Sequence, residues 1–144
     1  MKSTIDRIKQ IHFLKLEKGD DILNSIVEYS KDNNITSGAV VGIGAVEKAC
    51  LGYFDVSTKK YLENDFNFFA EILNCTGNIA LNELTKEHIA HLHMLIGDIK
   101  GVTFGGHVLP GNIISVTGEF VLFETSSELM RNIDDEFKLM LLNI

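Results

Sequence analysis

The sequence predicts an α+β fold: a mixed, largely antiparallel β-sheet with one main amphipathic helix, forming a single domain over residues 1–144. Three observations carry this expectation. β-Branched and aromatic runs recur along most of the chain, short polar or glycine-containing segments separate them, and a single stretch shows clear helical apolar spacing.

Lys9 to Lys18 alternates, with Ile11 and Phe13 on one side, and reads as a strand. Gly19-Asp20-Asp21 then opens the helix, because acidic residues in a first turn suit the positive end of the helix dipole. Ile22, Leu23, Ile26, Val27 and Ser30 form one stripe at helical spacing, and Asn33-Asn34 supplies a left-handed ending. Gly38 to Val46 and Ala49 to Asp55 read as strands. Gly42-Ile43-Gly44 lacks the third glycine and the following helix of a nucleotide-binding fingerprint, so its glycines are expected to permit bends or close strand packing.

Asp55 to Lys60 reads as a turn, and Phe66 to Thr76 as an apolar, aromatic strand. Gly77-Asn78 reads as a turn into Ile79-Ala80-Leu81, and Leu84 to Ile89 as a polar loop. His91 to Gly97, Val102 to Leu109 and Ile113 to Phe123 are three further strands. Ser126 to Asp135 has the look of a short helix and Phe137 to Leu142 that of a closing strand.

At 144 residues, with 45% hydrophobic and 23% charged residues, the chain can bury a core without disulfides. No apolar run approaches a membrane span, and the first residues lack a signal-peptide pattern, so the cytoplasm is the expected compartment. Cys50 and Cys75 lie in apolar runs without CxxC spacing and read as reduced, buried thiols. The net charge is −7 and only Arg7 and Arg131 are arginines, so the phosphate-neutralising surface of a nucleic-acid binder is missing.

The segment richest in chemistry runs from His91-Leu92-His93 to Gly105-Gly106-His107. Residues two apart on a strand share a face, which puts His91 and His93 together. A three-residue hairpin loop wants its last residue left-handed, and Ile99-Lys100-Gly101 meets that need. Asp98 then pairs with Val102, Met94 with Gly106, and His93 with His107, while Gly105 opposite Leu95 leaves space beside the patch. A two-residue loop would slip the register by one and turn His107 away. In the favoured register three imidazoles converge, the donor set of a zinc site with an open fourth position; copper, nickel or iron(II) would also suit. His88, in the loop before the strand, reads as a surface residue that could approach the patch, and His12 lies apart. Glu71 and Glu119 are strand carboxylates of the type that supports a ligating histidine, with neither assigned that role. A two-residue Pro110-Gly111 turn would aim Glu119 away.

Val40-Val41-Gly42-Ile43-Gly44-Ala45-Val46, Leu51-Gly52-Tyr53-Phe54-Asp55, Glu71-Ile72-Leu73, Gly77-Asn78-Ile79 and the histidine hairpin resemble, in order and spacing, the PPC domain of plants and prokaryotes, stand-alone prokaryotic type. Its members are often described as PD1-like predicted DNA-binding proteins. The resemblance implies a mixed sheet with a helix, a homotrimer, and a metal held by His91, His93 and His107. An apolar sheet too large for one helix to cover, as in Phe66 to Leu73, also points to subunit contacts. Plant members add an Arg-Gly-Arg-Pro AT-hook, which this chain lacks, and a Gly-Arg-Phe-Glu-Ile-Leu stretch, which here reads Phe68-Phe69-Ala70-Glu71-Ile72-Leu73. With the acidic balance, those departures argue against direct DNA binding.

Three functional classes follow. The first is a metal-containing binding or regulatory module with a small-molecule ligand at the metal. The second is a small zinc-dependent enzyme using the open position. The third is a DNA-associated protein. No residue is singled out as catalytic.

Overall fold

Nine strands and one helix make up the computed structural model, which describes residues 1–144. They are β1 (Ile8–Leu16), α1 (Ile22–Asp32), β2 (Gly38–Asp55), β3 (Lys60–Phe66), β4 (Ala70–Asn82), β5 (His88–Gly97), β6 (Thr103–Val108), β7 (Ile113–Thr125), β8 (Met130–Ile133) and β9 (Met140–Asn143). The sheet runs β1-β7-β2-β6-β5-β4-β8-β9, with β3 on β2, and every pairing is antiparallel except β4 with β8.

One long strand organises this order. The first half of β2 pairs with β4 and β7, and its second half pairs with β3 and β6. Because β4 also pairs with β5, and β5 with β6, strands β2, β4, β5 and β6 close into a ring. The two strands expected between Gly38 and Asp55 are therefore one continuous strand that changes partners midway.

α1 buries Ile22, Ile26 and Ser30 against the sheet, joining a core that includes Val40, Leu51, Ile79, Leu92, Met94, Ile96, Phe120 and Leu122. Asp20 and Asp21 precede the first turn instead of occupying it. Asp21 is the N-cap: one carboxylate oxygen accepts from Asn24 N at 2.9 Å, the other from Gly111 N at 2.6 Å and Asn112 N at 3.1 Å. The cap thus ties the helix to the β6–β7 connection. Asn34 takes the left-handed conformation (φ 53°) expected at the helix end.

Four local expectations are overturned. Gly77-Asn78 does not turn; β4 runs straight through it, with Gly77 between Val40 and Leu92. A Gly-Asn pair reads as a turn locally, but here glycine provides room for a neighbouring strand. Residues 126–135 form no helix; the segment contributes β8, recruited as a parallel partner by the end of β4. Pro110-Gly111 closes no β6–β7 hairpin, because β2 lies between those strands and the Asn112 side chain caps the bend through Leu109 O and Cys50 O. The loop before β5 ends earlier than expected, so His88 already lies on that strand.

Both cysteines are free and buried, as expected. Burial pushes the Cys75 thiol up to about 12 and also raises Cys50, whose other influences include the nearby Asp65. Since the thiolate is the reactive form, the native protein is expected to react with neither thiol within minutes at pH 8, and with both after denaturation. Prompt labelling of Cys75 in the folded protein would contradict this packing. No helix is long and apolar enough to cross a membrane.

Candidate metal centre

The hairpin forms in the register that places the histidines together. Asp98 N donates to Val102 O at 3.0 Å, Gly101 is left-handed (φ 78°), and the Asp98 carboxylate accepts from Lys100 N and Val102 N, each at 2.8 Å. His93 then pairs with His107, Met94 with Gly106 and Leu95 with Gly105. Leu92, Met94 and Ile96 enter the core, which leaves His91, His93 and Leu95 on the opposite face.

That face carries a row across the whole ring: Val41, Thr76, His93, His107 and Gly52 are successive cross-strand neighbours. Asn78 lies opposite His91. The three rings sit 5.0–5.3 Å apart between centroids, and one nitrogen from each lies within 4.8 Å of the others. His91 Nε2 and His93 Nε2 are 3.2 Å apart.

Other elements frame the cluster. Tyr61 on β3 stacks on His107 at 4.6 Å and 23°, and it lies across Gly52, where a Cβ would come within 2.8 Å of its ring. Arg131 on β8 donates through one terminal nitrogen to Asn78 Oδ1 at 2.6 Å and to His91 Nδ1 at 3.3 Å, and through the other to Met140 O at 2.8 Å. Burial, with His91, His93 and Arg131 nearby, pulls His107 down to about 4; burial, Arg131 and His93 also hold His91 below the ordinary imidazole range. Both rings are therefore held toward the neutral form near pH 7, the form that can ligate a metal, with the His91 lone pair at Nδ1 accepting from Arg131. Burial pushes the Tyr61 hydroxyl up, so it remains a phenol.

A cleft of about 460 Å³ opens beside His93, lined by Asn74, Thr76, Met94, Leu95, Gly105 and Gly106. The space expected over Gly105 is taken by the Leu95 side chain, whose Cδ2 would lie 2.6 Å from a Cβ there, and the cleft opens beside it.

The remaining polar candidates lie elsewhere. His12 bonds Tyr29 and Glu124 at 3.0 and 3.3 Å. His88 pairs with Leu81, and its buried Nε2 has no partner. Glu71 sits opposite Gly97, and Glu119 is paired between Lys15 and Ile43. Neither carboxylate supports the histidines. Arg131, Asn78 and Tyr61 take that place, and sequence reasoning missed all three. The available signal was slight: Arg131 is one of only two arginines.

Residues 4–126 match the family model of the Plants and Prokaryotes Conserved (PCC) domain. The metal-containing protein AF0104 from Archaeoglobus fulgidus superposes with a TM-score of 0.90 at 27% identity, covering 100% of both chains. A candidate DNA-binding protein from Bacteroides thetaiotaomicron gives a TM-score of 0.87 at 28% identity, covering 95% of this chain and 94% of its own. A curated relative, the bifunctional protein GlmU of Synechococcus sp. (strain JA-3-3Ab), is 28% identical over 117 residues, and the match spans 81% of this chain but 17% of that protein.

Proposed function

The chain belongs to the Plants and Prokaryotes Conserved domain family, and on that premise we propose that it is a metal-containing binding or regulatory module in which His91, His93 and His107 hold one divalent ion, most readily zinc. The observation that carries this reading is the meeting of three imidazoles from two paired strands, two of them desolvated and neutral. The donors fit: nitrogens about 2.0–2.1 Å from one tetrahedral ion lie about 3.4 Å apart, and His91 Nε2 to His93 Nε2 measures 3.2 Å. A metal-containing protein of the same fold at 27% identity also supports it. Three protein ligands leave a fourth position, where such an ion would polarise a carbonyl or acidify a bound water.

The module reading is favoured over a zinc-dependent enzyme because no carboxylate lines the cleft beside His93 to serve as a general base. Elemental analysis of untagged protein is the direct test. About one metal per chain is expected, and metal-free protein that takes up no added zinc would overturn the proposal.

The assembly we propose is a homotrimer. Phe13 (83% exposed), Ile11, Val41 and Ile43 form an apolar patch across the neighbouring strands β1, β7 and β2, and Phe69, Leu73 and Leu95 are exposed elsewhere on the sheet. Such surface normally marks an interface. Light scattering should give about three times the 16.0 kDa chain mass; a monomer at micromolar concentration would sink the idea.

Direct DNA binding does not form part of this reading, although a candidate DNA-binding protein shares the fold. Seven excess negative charges work against phosphate contact, and non-specific affinity even for true binders is only about 10⁻⁴–10⁻⁶ M. A duplex anisotropy titration at physiological salt should stay flat. Saturable micromolar binding that weakens steeply with salt would restore the DNA-associated class. The buried, reduced thiols are in keeping with a cytoplasmic location.

A further inference from the structure

We propose that the three-histidine centre takes a small oxyanion, a carboxylate or phosphate group, and that Arg131 is the residue that selects its charge; this inference rests on the metal reading above. Its starting point is an unbalanced charge. Arg131 is 2% exposed, yet none of the ion pairs in the protein involves it. Its acceptors, Met140 O, Asn78 Oδ1 and His91 Nδ1, are all neutral, and its Nε is buried without a partner. The contrast with Glu124 is direct. That carboxylate, 3% exposed, is met by Lys9 at 2.6 Å and by His12 at 3.3 Å. Buried charge is expensive unless paired, and this fold pairs one and leaves the other open.

Metal binding would widen the deficit. An imidazole that accepts from Arg131 at Nδ1 carries its proton on Nε2, which faces His93. Were His91 to hold the metal through Nε2, its proton would sit on Nδ1 and the Arg131 N–H would lose that acceptor. The site would then hold a dication and a guanidinium with no carboxylate in contact. An oxyanion answers both needs: it is a hard donor for the open metal position and the natural partner of a guanidinium.

The surroundings suit a small ligand. The cleft beside His93 brings only uncharged hydrogen-bonding side chains, Asn74 and Thr76, so Arg131, which does not line it and reaches the cluster at His91, is the cation in contact with the histidines. The overall charge of −7 disfavours a polyanion such as nucleic acid. Arg131 also lies beyond residues 4–126, so the C-terminal β8–β9 hairpin delivers it from outside the segment that matches the family model.

The test uses full-length protein loaded with cobalt(II), whose visible bands report changes at the metal. Acetate, inorganic phosphate and the neutral acetamide are titrated separately. A saturable change with acetate or phosphate and none with acetamide is expected, and the stronger of the two names the oxyanion class. Compared at equal bound cobalt, Arg131→Gln should weaken oxyanion binding roughly tenfold or more, with Arg131→Lys in between. Equal oxyanion affinity in wild type and Arg131→Gln overturns the proposal. If Arg131→Gln does not fold, the acetate–acetamide comparison on wild type still decides: equal responses, or none, overturn it. Cobalt bound without any oxyanion response defeats this inference alone. Failure to bind cobalt defeats the metal reading as well.

Discussion

Alanine at position 93 should empty the centre, taking metal from about one ion per chain to near none while the fold survives. His93 is an exposed side chain on the outward face of β5, so truncating it opens no core cavity. It is also the central imidazole of the row, directly opposite His107 and with Nε2 3.2 Å from that of His91. Without it, two imidazoles and solvent remain, a much weaker donor set for zinc. Thermal unfolding gives a second readout. A ligand at a thousand times its Kd stabilises by about 4 kcal/mol, which for a chain of this size is roughly 8–16 °C in Tm. Chelator should therefore lower the Tm of wild type and leave His93→Ala unmoved. His88→Ala is the control, since His88 lies on the same strand but outside the cluster, and it should keep its metal. Equal metal content in wild type and His93→Ala would end the assignment.

Gly77→Ala should damage fold and centre together. A Cβ there would overlap the His91 carbonyl oxygen and lie 2.8 Å from both His91 C and Leu92 Cα. Those are backbone atoms of the paired strand and cannot rotate aside. β4 and β5 must separate locally, at a cost of about 3 kcal/mol or more, which is roughly 6–12 °C in Tm. The displaced strand carries His91, so metal affinity should fall as well. Gly42→Ala separates the two effects. Its Cβ would strike the Phe120 ring in the core, so stability should drop while metal content stays near one per chain. If Gly77→Ala binds metal as tightly as wild type, the glycine does not position the centre.

The histidine hairpin was legible because everything that sets its register is local. Seventeen residues contain both strands and the turn, and Gly101 with the Asp98 carboxylate specifies the loop without help from the rest of the chain. The helix was legible for the same reason, through its stripe and its acidic start, although Asp21 proved to cap the helix instead of sitting in its first turn. Gly77-Asn78 was misread because a local turn preference has no knowledge of a neighbouring strand.

By itself, then, the sequence determined the α+β class, the single strong helix and the convergence of His91, His93 and His107, all of which follow from periodicity and short-range turn chemistry. Only the tertiary structure decided what surrounds those rings. Tyr61 reaches His107 because β2 changes partners midway and carries β3 beside β6. Arg131 reaches His91 because the end of β4 accepts β8 in parallel, across 40 residues of chain. Such pairings depend on which edges are left open once the ring has closed, and no local pattern of side chains encodes that.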